Sequence, residues 1–306
     1  MNLSVFTRNI PPTNKVYQIE DLDDWDHPGP SLAVLGHPIA HSLSPVIHNA
    51  ALQEMGGEFK NWRYYAFDIP HEQLPEALVA LHINNFVGIN LTIPHKVEAL
   101  DLVATIDPVA ERMGAVNTLV KLEHGYHGRN TDGYGIETAL QQDLGATIAG
   151  SDIIILGAGG ASRATVVQCL ESGSRKVWLG NRSVDRLEAL VESIGGPNER
   201  FETFALGDPP SGRIPDDSIL INATSLGLKP EDPAPADLQR LPQNLRVYDM
   251  IYNPPETALL AQARQLNYPA ANGLSMLVHQ AAKSLHYWTQ ATVPVQAMFA
   301  AIQAKS

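Results

Sequence analysis

The densest group of residues with usable chemistry is Gly157-Ala158-Gly159-Gly160-Ala161, directly after the apolar run Ile153-Ile-Ile-Leu156. A glycine turn between a buried strand and a helix leaves backbone N–H groups and the positive end of the helix dipole facing an open space, which suits a pyrophosphate. Gly157 permits the tight turn and Gly159 lets a phosphate approach the backbone, while Ser162 stands at the third fingerprint position, where glycine or alanine is usual. The next strand decides which dinucleotide. A carboxylate at its end would bind a ribose hydroxyl and select NAD, but the end reads Gly180-Asn181-Arg182-Ser183, with Arg186 beyond. Two permanently charged planar forks match a 2′-phosphate, so the sequence predicts NADP. Asp185 lies past the ribose-binding position and is expected to cap the following helix.

A second group lies earlier in the chain. Ser42 and Ser44 place two hydroxyls on one turn, suited to a hydroxylated or carboxylated small molecule, with Ser44 also expected as N-cap ahead of Pro45. Asn90 and Thr92 are two apart on a strand and so share one face at its carboxyl end, where open α/β sheets bind ligands. Lys96 falls in the first turn of the next helix, where a cation opposes the dipole, a placement that hints at use. Asp132 taken alone reads as the N-cap of a helix over 134–144. His37, His41 and His48 have no thiolate or clustered carboxylate beside them, so no metal is expected.

These residues need two sets of elements to position them. Strands are expected at 31–36, 62–67 and 86–93, with helices after Pro45 and over 71–81, and a hairpin of 115–122 with 126–130. The glycine unit predicts a strand at 153–156, a helix over 161–173, a strand at 176–180 and a helix from about 184. Strands at 218–223 and 246–252, a helix over 257–266 and a long helix over 274–289 follow. Met276 and Gln280 share a face of that last helix. Residues 1–30 read as an N-terminal arm.

The chain has 306 residues, enough for two cores. Its net charge of -12, from 33 acidic and 21 basic residues, argues against nucleic acid and anionic membrane surfaces. Cys169 is the one cysteine, so an internal disulfide is ruled out. No apolar run suits a membrane span and no signal peptide is evident, so a cytoplasmic protein is expected.

The ordered set Ser42-Leu-Ser44-Pro, Asn90-Leu-Thr92-Ile-Pro-His-Lys96, Ala115-Val-Asn117-Thr, Asn130-Thr-Asp132-Gly, Gly157-Ala-Gly-Gly-Ala, Asn181-Arg182-Ser183, Asn222-Ala-Thr224-Ser225-x-Gly227, Asp249-Met-Ile251-Tyr252 and Gly273-Leu-Ser-Met276-x3-Gln280 resembles the shikimate dehydrogenases. The resemblance covers about 250 residues in the family's order. It implies an α/β fold with two domains: an N-terminal α/β substrate domain over 31–132 completed by C-terminal helices in 273–306, and a Rossmann NADP-binding domain over 133–272. It implies reversible reduction of 3-dehydroshikimate to shikimate, on the way to chorismate and the aromatic amino acids, by a monomer or homodimer.

By the same resemblance Ser42 and Ser44 bind the substrate carboxylate, and Thr92, Asn117 and Gln280 hold ring hydroxyls, with Asn90 and Tyr252 beside them. Lys96 and Asp132 form the catalytic pair. The cofactor falls to Gly157, Ala158, Gly159, Gly160, Ala161, Asn181, Arg182, Ser183, Arg186, Thr224, Ser225, Gly227, Ile251, Gly273 and Met276. Two other readings are open: a quinate/shikimate dehydrogenase using NAD(P), and a non-catalytic NADP-binding sensor. Retention of both Lys96 and Asp132 argues against the sensor, which needs no proton donor.

Overall fold

The computed structural model describes residues 10–196, 199–210 and 212–305. The chain divides into two compact units, one of residues up to 111 with 115–131 and 281–306, the other of 112–114 with 132–280.

The first unit carries strands β1 (Val16–Tyr17), β2 (Ser31–Gly36), β3 (Arg63–Asp68), β4 (Phe86–Leu91), β5 (Thr105–Ile106), β6 (Thr118–Lys121) and β7 (Tyr126–Arg129). Helices α1 (Ser44–Met55), α2 (Leu74–Ile83), α3 (His95–Glu98) and α4 (Pro108–Met113) lie between them. The sheet runs β1-β3-β2-β4-β6-β7-β5. β2 pairs in parallel with both β3 and β4, so every one of its residues is buried, whereas β6 meets β4 antiparallel. The chain leaves β2 to one side and returns on the other at β4. Ligands bind at such a reversal in open α/β sheets, and the turn after β2 carries Ser42 and Ser44 while β4 carries Asn90.

The stretch expected as an arm is built into this unit from Val16 onward. β1 pairs in parallel with β3, and Tyr17 packs edge-on against Trp25 and Tyr65 with ring centroids 5.2 and 5.9 Å apart. Residues 1–9 lie outside the described residues. The helix expected over 71–81 opens as a 3-10 turn, His71–Gln73, and α2 proper begins only at Leu74, with Pro75, which has no N–H to donate, in its first turn.

The second unit contains helices α5 (Asp132–Leu144), α6 (Gly160–Glu171), α7 (Val184–Ser193), α8 (Ala258–Gln265) and the start of α9 (Leu274–Thr289). Its strands are β8 (Asp152–Leu156), β9 (Lys176–Asn181), β10 (Phe201–Ala205), β11 (Ile219–Asn222), β12 (Arg246–Asp249) and β13 (Ala270–Asn272). They form one parallel sheet in the order β10-β9-β8-β11-β12-β13, which is the 3-2-1-4-5-6 order of a dinucleotide-binding fold. Alternate residues of β8 face opposite cores: Ile153 and Ile155 lie with Ile136, Val166 and Leu187, Ile154 and Leu156 with Leu238 and Leu259. The strand expected over 246–252 stops at Asp249, because the Asp249 side chain takes the Ile251 N–H at 3.1 Å and turns the chain out of the sheet. The chain ends in α10 (Val295–Gln303), packed on α1 in the first unit.

His48 on α1 has no exposed surface and stacks on Tyr64, ring centroids 4.1 Å apart and planes 5° apart. No hydrogen bond of ordinary geometry reaches either ring nitrogen, and burial holds its pKa down to about 3, with the Asn90 side chain opposing the shift. An unfolded histidine takes up its proton below about pH 6.5. The native state does not, so this contribution to stability is full above that pH and drains away at about 1.4 kcal/mol per pH unit towards the folded pKa. His27, His95, His127 and His279 are depressed by burial in the same sense. His48→Phe, which keeps a stacked ring that does not titrate, is expected to flatten the loss of unfolding free energy between pH 7 and 5 by about 2 kcal/mol. An unchanged slope in urea titrations would show that the ring protonates within the fold.

Candidate active site

In the first unit the expected substrate residues form a dense polar wall. Ser42 and Ser44 are half-buried at the start of α1, but Ser44 is not its N-cap. Ser44 is the first helical residue and Leu43 the N-cap, while Ser42 Oγ accepts from Ser44 N at 3.3 Å. Pro45 has no N–H, so the cap serves Ser44. Asn90 is buried on β4 with its amide held on every side: Oδ1 accepts from Tyr64 Oη at 2.8 Å, and Nδ2 faces Asn117 O, Thr118 Oγ1 and Ser284 Oγ at 2.9, 3.1 and 3.1 Å. Asn117 Oδ1 accepts from Thr131 N at 2.9 Å and from Thr118 Oγ1 at 2.8 Å. Thr92 N donates to Leu35 O at 3.0 Å, which fastens the end of β4 to β2. Lys96 is half-buried in α3, and its carbonyl accepts from Val116 N at 2.8 Å, which ties α3 to the segment that carries Asn117 into β6. Burial of His95, with Nε2 at 2.8 Å from Ile69 O, seats this short helix.

In the second unit the glycine turn stands where β8 and β11 diverge. Gly157 has φ +118°, and a Cβ there would lie 2.7 Å from Ser162 Oγ and 3.0 Å from Ala223 O, so glycine is required on both counts. Ser162, the unusual fingerprint residue, is fully buried with its hydroxyl directed at Ala223 O, 3.5 Å away, and so ties α6 to the end of β11. Gly159 and Gly160 have open space where side chains would stand. That cradle of bare backbone at a helix N-terminus fits a pyrophosphate. Gly157 N donates to Gly180 O at 2.8 Å, which holds the turn against the end of β9. Arg182 and Arg186 are exposed just beyond, and Asn181 Nδ2 donates to Ser183 O at 3.0 Å. Asp185 does not cap α7. Ser183 holds the N-cap position without a side-chain bond, and Asp185 lies inside the first turn, where a carboxylate complements the helix dipole.

The loops after β11 and β12 share a buried framework. Asn222 Nδ2 donates to Asp249 Oδ1 at 2.9 Å, and Asp249 Oδ2 accepts from Thr257 Oγ1 at 2.6 Å. Asn222 Oδ1 accepts from Thr224 N and Oγ1 at 3.0 and 2.7 Å, and Gly227 N donates to Asp232 at 3.0 Å. Burial raises the Asp249 pKa, opposed by these donors. The framework shapes the turns bearing Thr224, Ser225, Gly227, Ile251 and Tyr252. Tyr252 is half-buried and its pKa is raised by burial.

α5 and α9 fix Asp132, Met276 and Gln280 within this unit. Asp132 opens α5. Ser275 donates to Asp143, His279 Nε2 lies 2.8 Å from Gln142 Oε1, and Tyr248 Oη accepts from Met276 N at 3.3 Å. A Cβ on Gly135 would lie 2.9 Å from both Gln280 Cβ and Met276 O, so the two helices touch backbone to backbone beside Gln280. Lys96 and Asp132 belong to different units.

Residues 34–119 match the shikimate dehydrogenase substrate binding domain, and residues 273–303 the shikimate 5'-dehydrogenase C-terminal domain. A shikimate dehydrogenase (NADP(+)) of Geobacter sp. (strain M21) is 40% identical over 278 residues, 89% of this chain and 94% of that protein. This chain belongs to the shikimate dehydrogenase family. A crystal structure of a shikimate dehydrogenase in complex with NADP+ superposes with a TM-score of 0.82 at 33% identity, covering 90% of this chain and 96% of that one. The Thermus thermophilus shikimate 5-dehydrogenase, solved with NADP(H) and shikimate, gives 0.78 at 35% identity over 90% and 99%.

Several residues to which the sequence reading gave no role hold the expected site residues in place. Tyr64, Thr118, Thr131 and Ser284 complete the wall around Asn90 and Asn117; Asn222, Asp249 and Thr257 build the cofactor loops. Thr131, Asn222 and Asp249 stand inside the motifs that marked the family, so a signal existed. Tyr64 and Ser284 carried none, being ordinary members of a strand and a helix until the fold brings them to β4.

Proposed function

We propose that this chain catalyses the reversible NADPH-dependent reduction of 3-dehydroshikimate to shikimate. The observation that carries the reading is the presence of two prepared sites in one chain: a glycine cradle with Arg182 and Arg186 beyond it, and an amide and hydroxyl wall next to Lys96. NADPH bound at the cradle supplies the hydride for the C3 ketone. Ser42 and Ser44 hold the substrate carboxylate, and Thr92, Asn117 and Gln280 its ring hydroxyls, with Asn90 and Tyr252 beside them. The Lys96 ammonium gives its proton to the oxygen as negative charge grows there, and Asp132 orients that ammonium. Residues 31–132 with the C-terminal helices serve the substrate and 133–272 the cofactor. The same proposal places the enzyme in the cytoplasm as a monomer or homodimer.

Initial rates with shikimate and quinate, each with NADP and NAD, test this directly. Shikimate with NADP is expected to exceed every other pairing, by about a hundredfold in kcat/KM over NAD if both arginines grip the 2′-phosphate. Arg182→Ala combined with Arg186→Ala is then expected to remove most of that preference. Comparable turnover of quinate, or a preference for NAD in the parent chain, would move the assignment to the quinate/shikimate enzymes and direct attention to Asp185.

A further inference from the structure

Tyr64 lies on β3 with no exposed surface, so it touches no solvent, yet its hydroxyl meets the centre of the substrate wall. Tyr64 Oη donates to Asn90 Oδ1 at 2.8 Å, and the Ser44 side chain lies beside the same phenol. The Asn117 carbonyl, which can only accept, sets which way the Asn90 amide is turned, and the Tyr64 hydroxyl, donating to the Oδ1 that then faces it, holds the amide there. Reversed, its oxygen would face the Asn117 carbonyl at 2.9 Å, acceptor against acceptor. In the observed sense Nδ2 donates to Asn117 O, the carbonyl that also receives Leu91 N at 2.9 Å, so the amide joins β4 to the residue expected to hold a ring hydroxyl.

The Tyr64 ring has no freedom to swing away. His48, one turn along α1 from Ser44, covers one face in a stacked arrangement, and Trp288 packs against both rings with centroids 5.6 and 6.2 Å away. Burial keeps the imidazole neutral and no ordinary hydrogen bond reaches it, so it serves as a flat surface. Phenylalanine would fill the volume of Tyr64 equally well. What the hydroxyl adds is the hold on Asn90.

We propose that Tyr64 is a positioning residue for substrate binding: its hydroxyl, fixed by the His48 stack, locks the Asn90 carboxamide and through it sets Asn117. The proposal rests on the function given above and deepens it for the substrate half alone. The experiment compares the full chain with Tyr64→Phe, Asn90→Ala and the double variant, measuring kcat, KM for shikimate, KM for NADP and the melting temperature. Tyr64→Phe is expected to raise the shikimate KM about five- to twentyfold, the equivalent of one lost buried hydrogen bond, with the NADP KM within about twofold of the parent. In the Asn90→Ala background the same change is expected to add nothing further.

A shikimate KM within about twofold of the parent alongside a lowered melting temperature would overturn the proposal, because Tyr64 would then only pack. Full additivity with Asn90→Ala would overturn it equally, since Tyr64 would then act by another route. Absence of shikimate turnover by the parent chain would sink the functional reading and this inference together, whereas an active parent with an indifferent Tyr64→Phe sinks this inference alone.

Discussion

Lys96→Ala is expected to lower kcat by about two to four orders of magnitude while leaving the fold intact. The oxygen that receives the hydride becomes an alkoxide, and without a donor in reach the proton must come from water at the cost of a higher barrier. The fold should persist because α3 stays seated through His95 and through the Lys96 main chain. His95 is buried and bonds to Ile69 O, while the Lys96 carbonyl, not its amine, accepts from Val116 N. Alanine keeps that carbonyl and favours the helix. The measurement is kcat with shikimate and NADP together with a thermal melt. A kcat near that of the parent in a folded variant would remove Lys96 from the chemistry. Asp132→Asn is expected to lower kcat as well, if Asp132 orients the Lys96 ammonium as proposed.

Gly273→Ala has the largest expected effect on the cofactor half. Gly273 joins β13 to α9; its N–H donates to Ile251 O at 3.1 Å, and a Cβ there would collide with the carbonyl and backbone of Met250. Backbone cannot rotate aside as a side chain can. Either the Met250–Tyr252 loop or the start of α9 must shift, and overpacking of this kind costs about 1–3 kcal/mol or more. Both segments carry proposed ligand contacts, Ile251 and Tyr252 on one and Met276 and Gln280 on the other. A shift of about 1 Å at a reacting geometry is worth about a hundredfold in rate. Gly273→Ala is therefore expected to melt several degrees lower and to bind NADP at least tenfold more weakly, measured by fluorescence titration and thermal denaturation. Unaltered NADP affinity would show that the loop yields without disturbing the cofactor.

Much of this protein was legible in its residues. The apolar run Ile153–Leu156 followed by glycines marked the cofactor half, because four largely β-branched apolar residues in succession fit a strand buried on both faces and glycine suits the backbone of Gly157 at φ +118°. The pair Asn90 and Thr92, with Lys96 four residues on, pointed to a polar group at the carboxyl end of β4 through strand periodicity and chain order. Such local signals depend on neighbours in sequence, which a sequence displays.

What tertiary structure alone decided concerns partners far apart in the chain. Local reading gave the cap of α1 to Ser44, whereas the fold puts Leu43 at the N-cap and Ser44 inside the helix, its N–H taken by the Ser42 hydroxyl. The acidic stretch before residue 31 read as an arm. Tyr17 and Trp25 anchor it against Tyr65 while its carboxylates stay at the surface, because an aromatic cluster forms only once β1 finds β3 almost fifty residues later. Asn90 read as a ligand of substrate, and the fold surrounds its amide with Tyr64, Asn117, Thr118 and Ser284, the last 194 residues away. Hydrogen-bond satisfaction of a buried amide is a property of the space around it. Periodicity reports which face a residue occupies, and only the assembled fold determines what it meets there.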